Sequence, residues 1–286
     1  MHWEKGLGNF MRGLAVFCAL AGALVLSPIE AVAQDASVAG AAAVVLPKVP
    51  PSFSPECNSK RIAGETYRRP LRGISKAVRQ QRNVKVLAIG SSSTEGAGAS
   101  KPSATYIAKL ETTLEGAFKG MDFDVVGRGK GGEVAQGAAD RMKREIEEVK
   151  PDLVVWQVGT NDALRHVDIE RFKGCLKTTL AWLAQNKIDV VLIDPQFGNQ
   201  LVKDSYYEQV VTAVAEVARD MRVLLVDRFE TMRELQRERG DAFYLSSDNL
   251  HLNDNGHRCM AEQLARSIVA GLLQADAEGE QPLFYP

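Results

Sequence analysis

The stretch Leu87–Gly96, LAIGSSSTEG, ends an apolar run on three adjacent serines. A serine hydroxyl is a weak nucleophile until a base takes its proton, and the usual base is a histidine whose tautomer a carboxylate fixes. Far downstream, DNLH supplies Asp248 and His251, three residues apart. In a turn or helix that spacing lets the carboxylate accept from one imidazole nitrogen and leaves the other free. By itself the pair reads equally as a capping Asp and a surface His. Asn161, in GTND, could donate its side-chain amide to a developing oxyanion; Asn is also favoured in turns and caps. In GRGKGGE, Gly127, Gly129 and Gly132 fit the G-x-G-x-x-G spacing of dinucleotide phosphate loops. That loop follows the second apolar run rather than the first, and no acidic residue ends a strand about 20 residues on. Its other use is to leave backbone N–H groups unshielded as oxyanion donors.

Five apolar, β-branched runs must position these residues: Val84–Ile89, Phe123–Val126, Leu153–Val158, Ile188–Ile193 and Val223–Val226. Several are nearly continuous, as in strands covered on both faces. Amphipathic stretches at Ser103–Phe118, Glu133–Val149, Ile169–Gln185, Tyr206–Asp220 and Asn255–Leu273 separate or follow them and read as helices. Such alternation predicts a parallel sheet between helix layers, with ligands at the carboxyl ends of the strands. The serine, glycine and asparagine loops each follow a predicted strand, and the Asp-x-x-His segment precedes the last helix.

In this order the four blocks resemble the SGNH (GDSL-type) hydrolases, across Val84–Leu273. The Gly-Asp-Ser block of that family matches Gly90-Ser91-Ser92, its Gly-acidic block Gly132-Glu133, its Gly-x-Asn-Asp block Gly159–Asp162, and its Asp-x-x-His block Asp248 and His251. The chain departs at Ser91, where the family has Asp, and at Gly127, where it has Asn. The resemblance implies an α/β fold, a three-layer α/β/α sandwich with a flavodoxin-like five-stranded parallel sheet. It implies a serine esterase with Ser92 as nucleophile, His251 as base and Asp248 as its orienting acid. The oxyanion hole would be the backbone N–H groups of Ser92 and Gly132 with the Asn161 amide. No metal or organic cofactor is needed. The expected substrate is a short acyl ester, an O-acetylated carbohydrate first; a lipase or thioesterase, or a non-catalytic polysaccharide-binding domain, are the other readings. Phe197 and Tyr206, in the loop after the fourth strand, could wall the substrate site or be packing residues. Arg165 and His166, just after GTND, could touch a leaving group or be solvated.

The chain has 286 residues, of which 45% are apolar and 25% charged, as in ordinary globular proteins. A net charge of −1 gives no case for nucleic acid or an anionic membrane as partner. Residues 1–33 read as a secretory signal peptide: basic Lys5 and Arg12, an apolar Leu14–Leu26, and Ala31-Val32-Ala33 as cleavage site. The other reading is an uncleaved N-terminal anchor. Export implies a periplasmic or secreted protein. Residues 34–56 read as an Ala/Pro-rich linker, disordered at its start, with Pro47, Pro50, Pro51 and Pro55 precluding a helix. The hydrolase-like domain would then span 57–286. Cys57, Cys175 and Cys259 remain after cleavage, without metal-ligand spacing. Cys175 lies on the apolar side of its helix, so the expected disulfide joins Cys57 to Cys259 and staples the start of the domain to the last helix.

Overall fold

The structure, a computed structural model, describes residues 46–58, 70–80 and 82–278. The proposed signal segment and the start of the linker lie outside them. The strands are β1 (Val84–Gly90), β2 (Phe123–Gly129), β3 (Leu153–Gln157), β4 (Asp189–Ile193) and β5 (Leu224–Val226). They form one parallel sheet in the order β2-β1-β3-β4-β5, the flavodoxin-like order. All of β3 and β5 and the last five residues of β1 are buried, which explains their near-continuous apolar character. Helices α1 (Arg72–Arg79), α3 (Tyr106–Ala117) and α9 (Asp254–Glu278) pack together. Helices α4 (Ala135–Val149), α6 (Ile169–Gln185) and α7 (Ser205–Asp220) form a second packed group. With the right-handed crossovers that parallel β–α–β units adopt, these groups fall on opposite faces of the sheet. Two short helices, α2 (Ser92–Glu95) and α5 (Thr160–Leu164), begin at the carboxyl ends of β1 and β3; α8 (Arg228–Arg239) follows β5.

Within the span assigned to a linker by composition, Pro51, Phe53 and Ser54 contact the domain. Phe53 packs on the core, the Ser54 N–H donates to Glu262 at 2.8 Å, and Arg266 donates to the Pro51 carbonyl at 2.9 Å. Cys57 and Cys259 form a disulfide with Cα atoms 5.0 Å apart, and Cys175 is a free thiol. β2 continues through Gly129, so two of the three pattern glycines are strand residues in register with Ala88 and Gly90. A Cβ on Gly129 would lie 2.0 Å from the Glu95 backbone nitrogen. Glycine there lets α2 sit on β2, and no open phosphate cradle remains.

Candidate active site

Of the three serines, two face inward. Ser91 donates its N–H and its Oγ to Gln157 Oε1 at 3.0 and 3.1 Å. Ser93 is 1% exposed. Ser92, the first residue of α2, is half-buried. Its carbonyl accepts from the N–H groups of Gly96 and Ala97 at 3.0 and 2.9 Å, which closes the loop around it. At the position of the family Asp, therefore, the Ser91 hydroxyl is committed to the end of β3.

The candidate base, His251, sits on a turn. Asp248 Oδ1 accepts from the backbone N–H groups of Leu250 and His251 at 3.0 and 2.9 Å, and Oδ2 meets His251 Nδ1 at 2.6 Å. Burial pushes the Asp248 carboxyl up, but these hydrogen bonds, the imidazole's first, outweigh it and hold the acid below its ordinary range. A carboxylate on Nδ1 makes Nδ1 the donor and leaves Nε2 as the proton acceptor. Among the described residues, nothing hydrogen-bonds to His251 Nε2, and His251 is not bonded to any of the three serines. Such contacts often form only with substrate present.

The two loops are brought together by the backbone. Gly98 has φ +85°, and a Cβ there would lie 2.2 Å from the Leu252 carbonyl and 3.0 Å from His251 Cβ; only glycine passes so close. Ser100 donates its N–H and Oγ to Asp254 at 2.7 and 2.6 Å. His257, on α9 and fully buried, spans the same junction. Its Nδ1 accepts from the Tyr106 N–H at 3.2 Å, so Nε2 carries the proton and donates to the Ala97 carbonyl at 3.1 Å. Gln196 Nε2 holds the other side of the turn through the Leu250 carbonyl at 2.8 Å.

Candidate donors for an oxyanion lie on the glycine and asparagine loops. Among the described residues, no group accepts from the backbone N–H of Ser92 or Gly132. Asn161 Nδ2 donates one hydrogen to the Glu133 carbonyl at 3.0 Å and has a second to give. Glu133 is fixed in turn by a two-pronged pair with Arg141, whose Nε lies 3.0 and 3.1 Å and Nη2 2.7 Å from the carboxylate oxygens. Arg141 Nη2 also donates to the Arg128 carbonyl at 2.8 Å, tying the loop to the end of β2. Both Asp162 oxygens accept from the Ala135 N–H at 3.1 Å, joining the asparagine loop to the start of α4. Burial pushes Asp162 up to about 6.

Of the two aromatics read as substrate walls or packing residues, Phe197 is a packing residue, while Tyr206 is half-buried at the start of α7. Phe197 is 5% exposed and packs edge-on against Phe229 at 5.3 Å. Tyr206 donates its hydroxyl to the Val167 carbonyl at 2.5 Å and stacks on His166 at 4.6 Å; His166 itself is bound to Asp204 at 2.6 Å. Sequence reasoning missed Gln157, Arg141 and His257. Their signals were a polar residue closing an apolar strand, a cation two helical turns after Glu133, and a histidine on the apolar face that carries Met260, Ala261 and Leu264.

Several solved structures share this fold. A two-domain esterase active on acetylated mannans superposes with a TM-score of 0.65 at 20% identity over 80% of this chain, which spans 60% of that longer protein. Axe2, an acetylxylan esterase from Geobacillus stearothermophilus, gives 0.56 at 22% identity, covering 65% of this chain and 94% of its own. TesA gives 0.56 at 23% identity over 64% of this chain and 97% of its own. No curated protein sequence matches significantly. The sequence model of one family matches residues 57–274, a span that holds every block of the site, from the serine loop with Ser91 in place of Asp to the Asp-x-x-His turn. The chain belongs to the non-GDSL lipase-like family.

Proposed function

We propose that the protein is an exported serine esterase that removes acetyl groups from a carbohydrate through an acyl-enzyme. Ser92 Oγ attacks the ester carbonyl while His251 Nε2 takes its proton. The tetrahedral oxyanion is met by the N–H groups of Ser92 and Gly132 and the free hydrogen of the Asn161 amide. Collapse expels the sugar alkoxide, which receives the proton from His251, and water attacks the acyl-enzyme by the same relay in reverse. Asp248 holds Nδ1–H and stabilises the imidazolium.

One observation carries this reading. The 2.6 Å contact between Asp248 and His251 Nδ1 fixes a base on a loop pressed against the loop of Ser92, the most accessible of three serines. The acetyl-glycan assignment is supported by the substrates named for two structural relatives, the mannan-active esterase and the acetylxylan esterase. Export rests on the sequence of residues 1–33, with cleavage after Ala33. No helix among the described residues is long and apolar enough to cross a membrane.

Turnover of p-nitrophenyl esters of increasing acyl length tests the assignment. Acetate should be the fastest, and release of acetate from an acetylated glycan should accompany it. Faster cleavage of octanoate would replace the acetyl reading with a lipase. No turnover of any ester would leave a non-catalytic binding domain.

A further inference from the structure

A cavity of about 240 Å³ opens between α4, α5 and α6, beside the proposed oxyanion donors. Val134, Val167 and Cys175 form its apolar wall, and Arg165 and Arg171 bring positive charge. It is smaller than the ~300–1,000 Å³ of pockets for drug-sized ligands, so it suits one ring rather than a chain of them.

Arg165 links the cavity to the chemistry. It follows Asn161 by one helical turn, with its N–H on the Asn161 carbonyl at 3.1 Å. Its Nη2 lies 3.2 Å from where a Cβ on Gly132 would stand. The guanidinium therefore reaches from the cavity to the oxyanion loop. Among the described residues, no carboxylate lies within ion-pair distance of Arg165 or Arg171. The acid in the cavity wall, Asp162, is buried, accepts from the Ala135 N–H and is felt by the Arg165 charge only beyond ion-pair distance. Gln136, also in the wall, has its amide on Asp140 at 2.8 Å. Across the glycine loop, Glu95 Oε2 lies 2.8 Å from the Cβ position of Gly131, in a hollow that Lys101 also lines.

We infer that this cavity is a subsite for an acidic sugar, whose carboxylate Arg165 and Arg171 bind, so that the natural substrate is an acetylated, uronate-containing glycan. The planar guanidinium matches a carboxylate in a two-pronged way that lysine cannot. The inference rests on the esterase reading above.

The test compares O-acetylated polygalacturonate with O-acetylated xylan at equal acetyl concentration, with p-nitrophenyl acetate as a probe that carries no sugar. The acidic glycan should show a kcat/KM about tenfold or more higher, carried by KM. About 0.5 M salt should erode that preference. Arg165→Ala with Arg171→Ala should lower kcat/KM on the acidic glycan at least about tenfold more than on p-nitrophenyl acetate, and Arg165→Lys should fall between. Equal rates on the two glycans, with p-nitrophenyl acetate still hydrolysed, would overturn the subsite and leave the esterase reading standing. So would variants that slow all three substrates by one factor. No turnover of any of the three would overturn both.

Discussion

Ser91, Ser93 and Gln157, which frame the Ser92 loop, are each no more than 5% exposed, whereas the Asp248 side chain is 49% exposed and that of His251 26%. The serine half is anchored by buried side chains to the ends of β1 and β3. The histidine half is a turn organised by the Asp248 carboxylate and held by Gln196 on one side, pinned to the serine half at Gly98, Ser100 and His257. Buried polar groups that lose a partner bear the full cost of their desolvation, while exposed ones recover water. Changes on the serine side should therefore register in stability as well as rate, and changes in the Asp248 turn mainly in rate.

The largest expected effect is on rate. Ser92→Ala and His251→Ala should each lower kcat on p-nitrophenyl acetate at least about 10⁴-fold, because nucleophile and base act as one unit. Asp248→Ala should cost about 10- to 100-fold less. Ser93→Ala should retain most of the activity, since Ser93 faces inward. A Ser92→Ala chain with wild-type turnover would remove Ser92 from the chemistry altogether.

Asn161→Ala comes next. Loss of one oxyanion donor lowers kcat by about 10²–10³-fold, with little change in KM if the amide acts in the transition state. A change confined to KM would instead mark Asn161 as a ground-state binder.

The parts of this site that were legible in the sequence are those whose residue types the chemistry itself demands. Ser92, the Asp248–His251 pair, Asn161 and the glycine loop stand at strand ends or before the last helix, where an apolar run gives way to small or polar residues. The strands were legible for a related reason: burial on both faces makes them continuous apolar runs. α8 was not, because RFETMRELQRER is so charged that its buried residues, Phe229, Met232 and Leu235, make only a thin stripe. α1 is short, with only eight residues. The supporting residues were hidden for a different reason. Gln157, Arg141 and His257 act through contacts 66, 8 and 160 residues away in sequence, and no local pattern announces such a partner. Phe197 was ambiguous because an aromatic after a strand end looks the same in sequence whether it faces substrate or, as here, Phe229.

Gln157→Leu probes the buried side of the comparison. It leaves the Ser91 N–H and hydroxyl without an acceptor and should destabilise the fold by about 1–3 kcal/mol in urea unfolding. The exposed counterpart, Asp248→Asn, should shift stability by no more than about 0.5 kcal/mol while lowering activity. Equal shifts in the two variants would mean that the two halves are held alike after all.

The smallest effect expected is the pH response of the junction between the halves. Burial holds the His257 pKa below 6.5; Arg228 and His251 add to that, while the Ala97 carbonyl and Asp254 oppose it. The folded state therefore binds this proton less readily than the unfolded chain does. Stability from His257 is fully present above about pH 6.5 and is lost as pH falls through the lowered folded value, by at most about 1.4 kcal/mol per pH unit for one proton. Protonation at Nδ1 would also set an N–H against the Tyr106 N–H that now donates to it. The acids at the same junction titrate elsewhere: Asp248 and Asp254 are both held below 3.8, so their losses come at lower pH. Between pH 6.5 and 5, the urea midpoint of the wild type should then fall more steeply than that of His257→Gln, which has no proton to gain. Parallel slopes would show that the junction does not titrate, and that the loss of stability in this window arises in some other part of the fold.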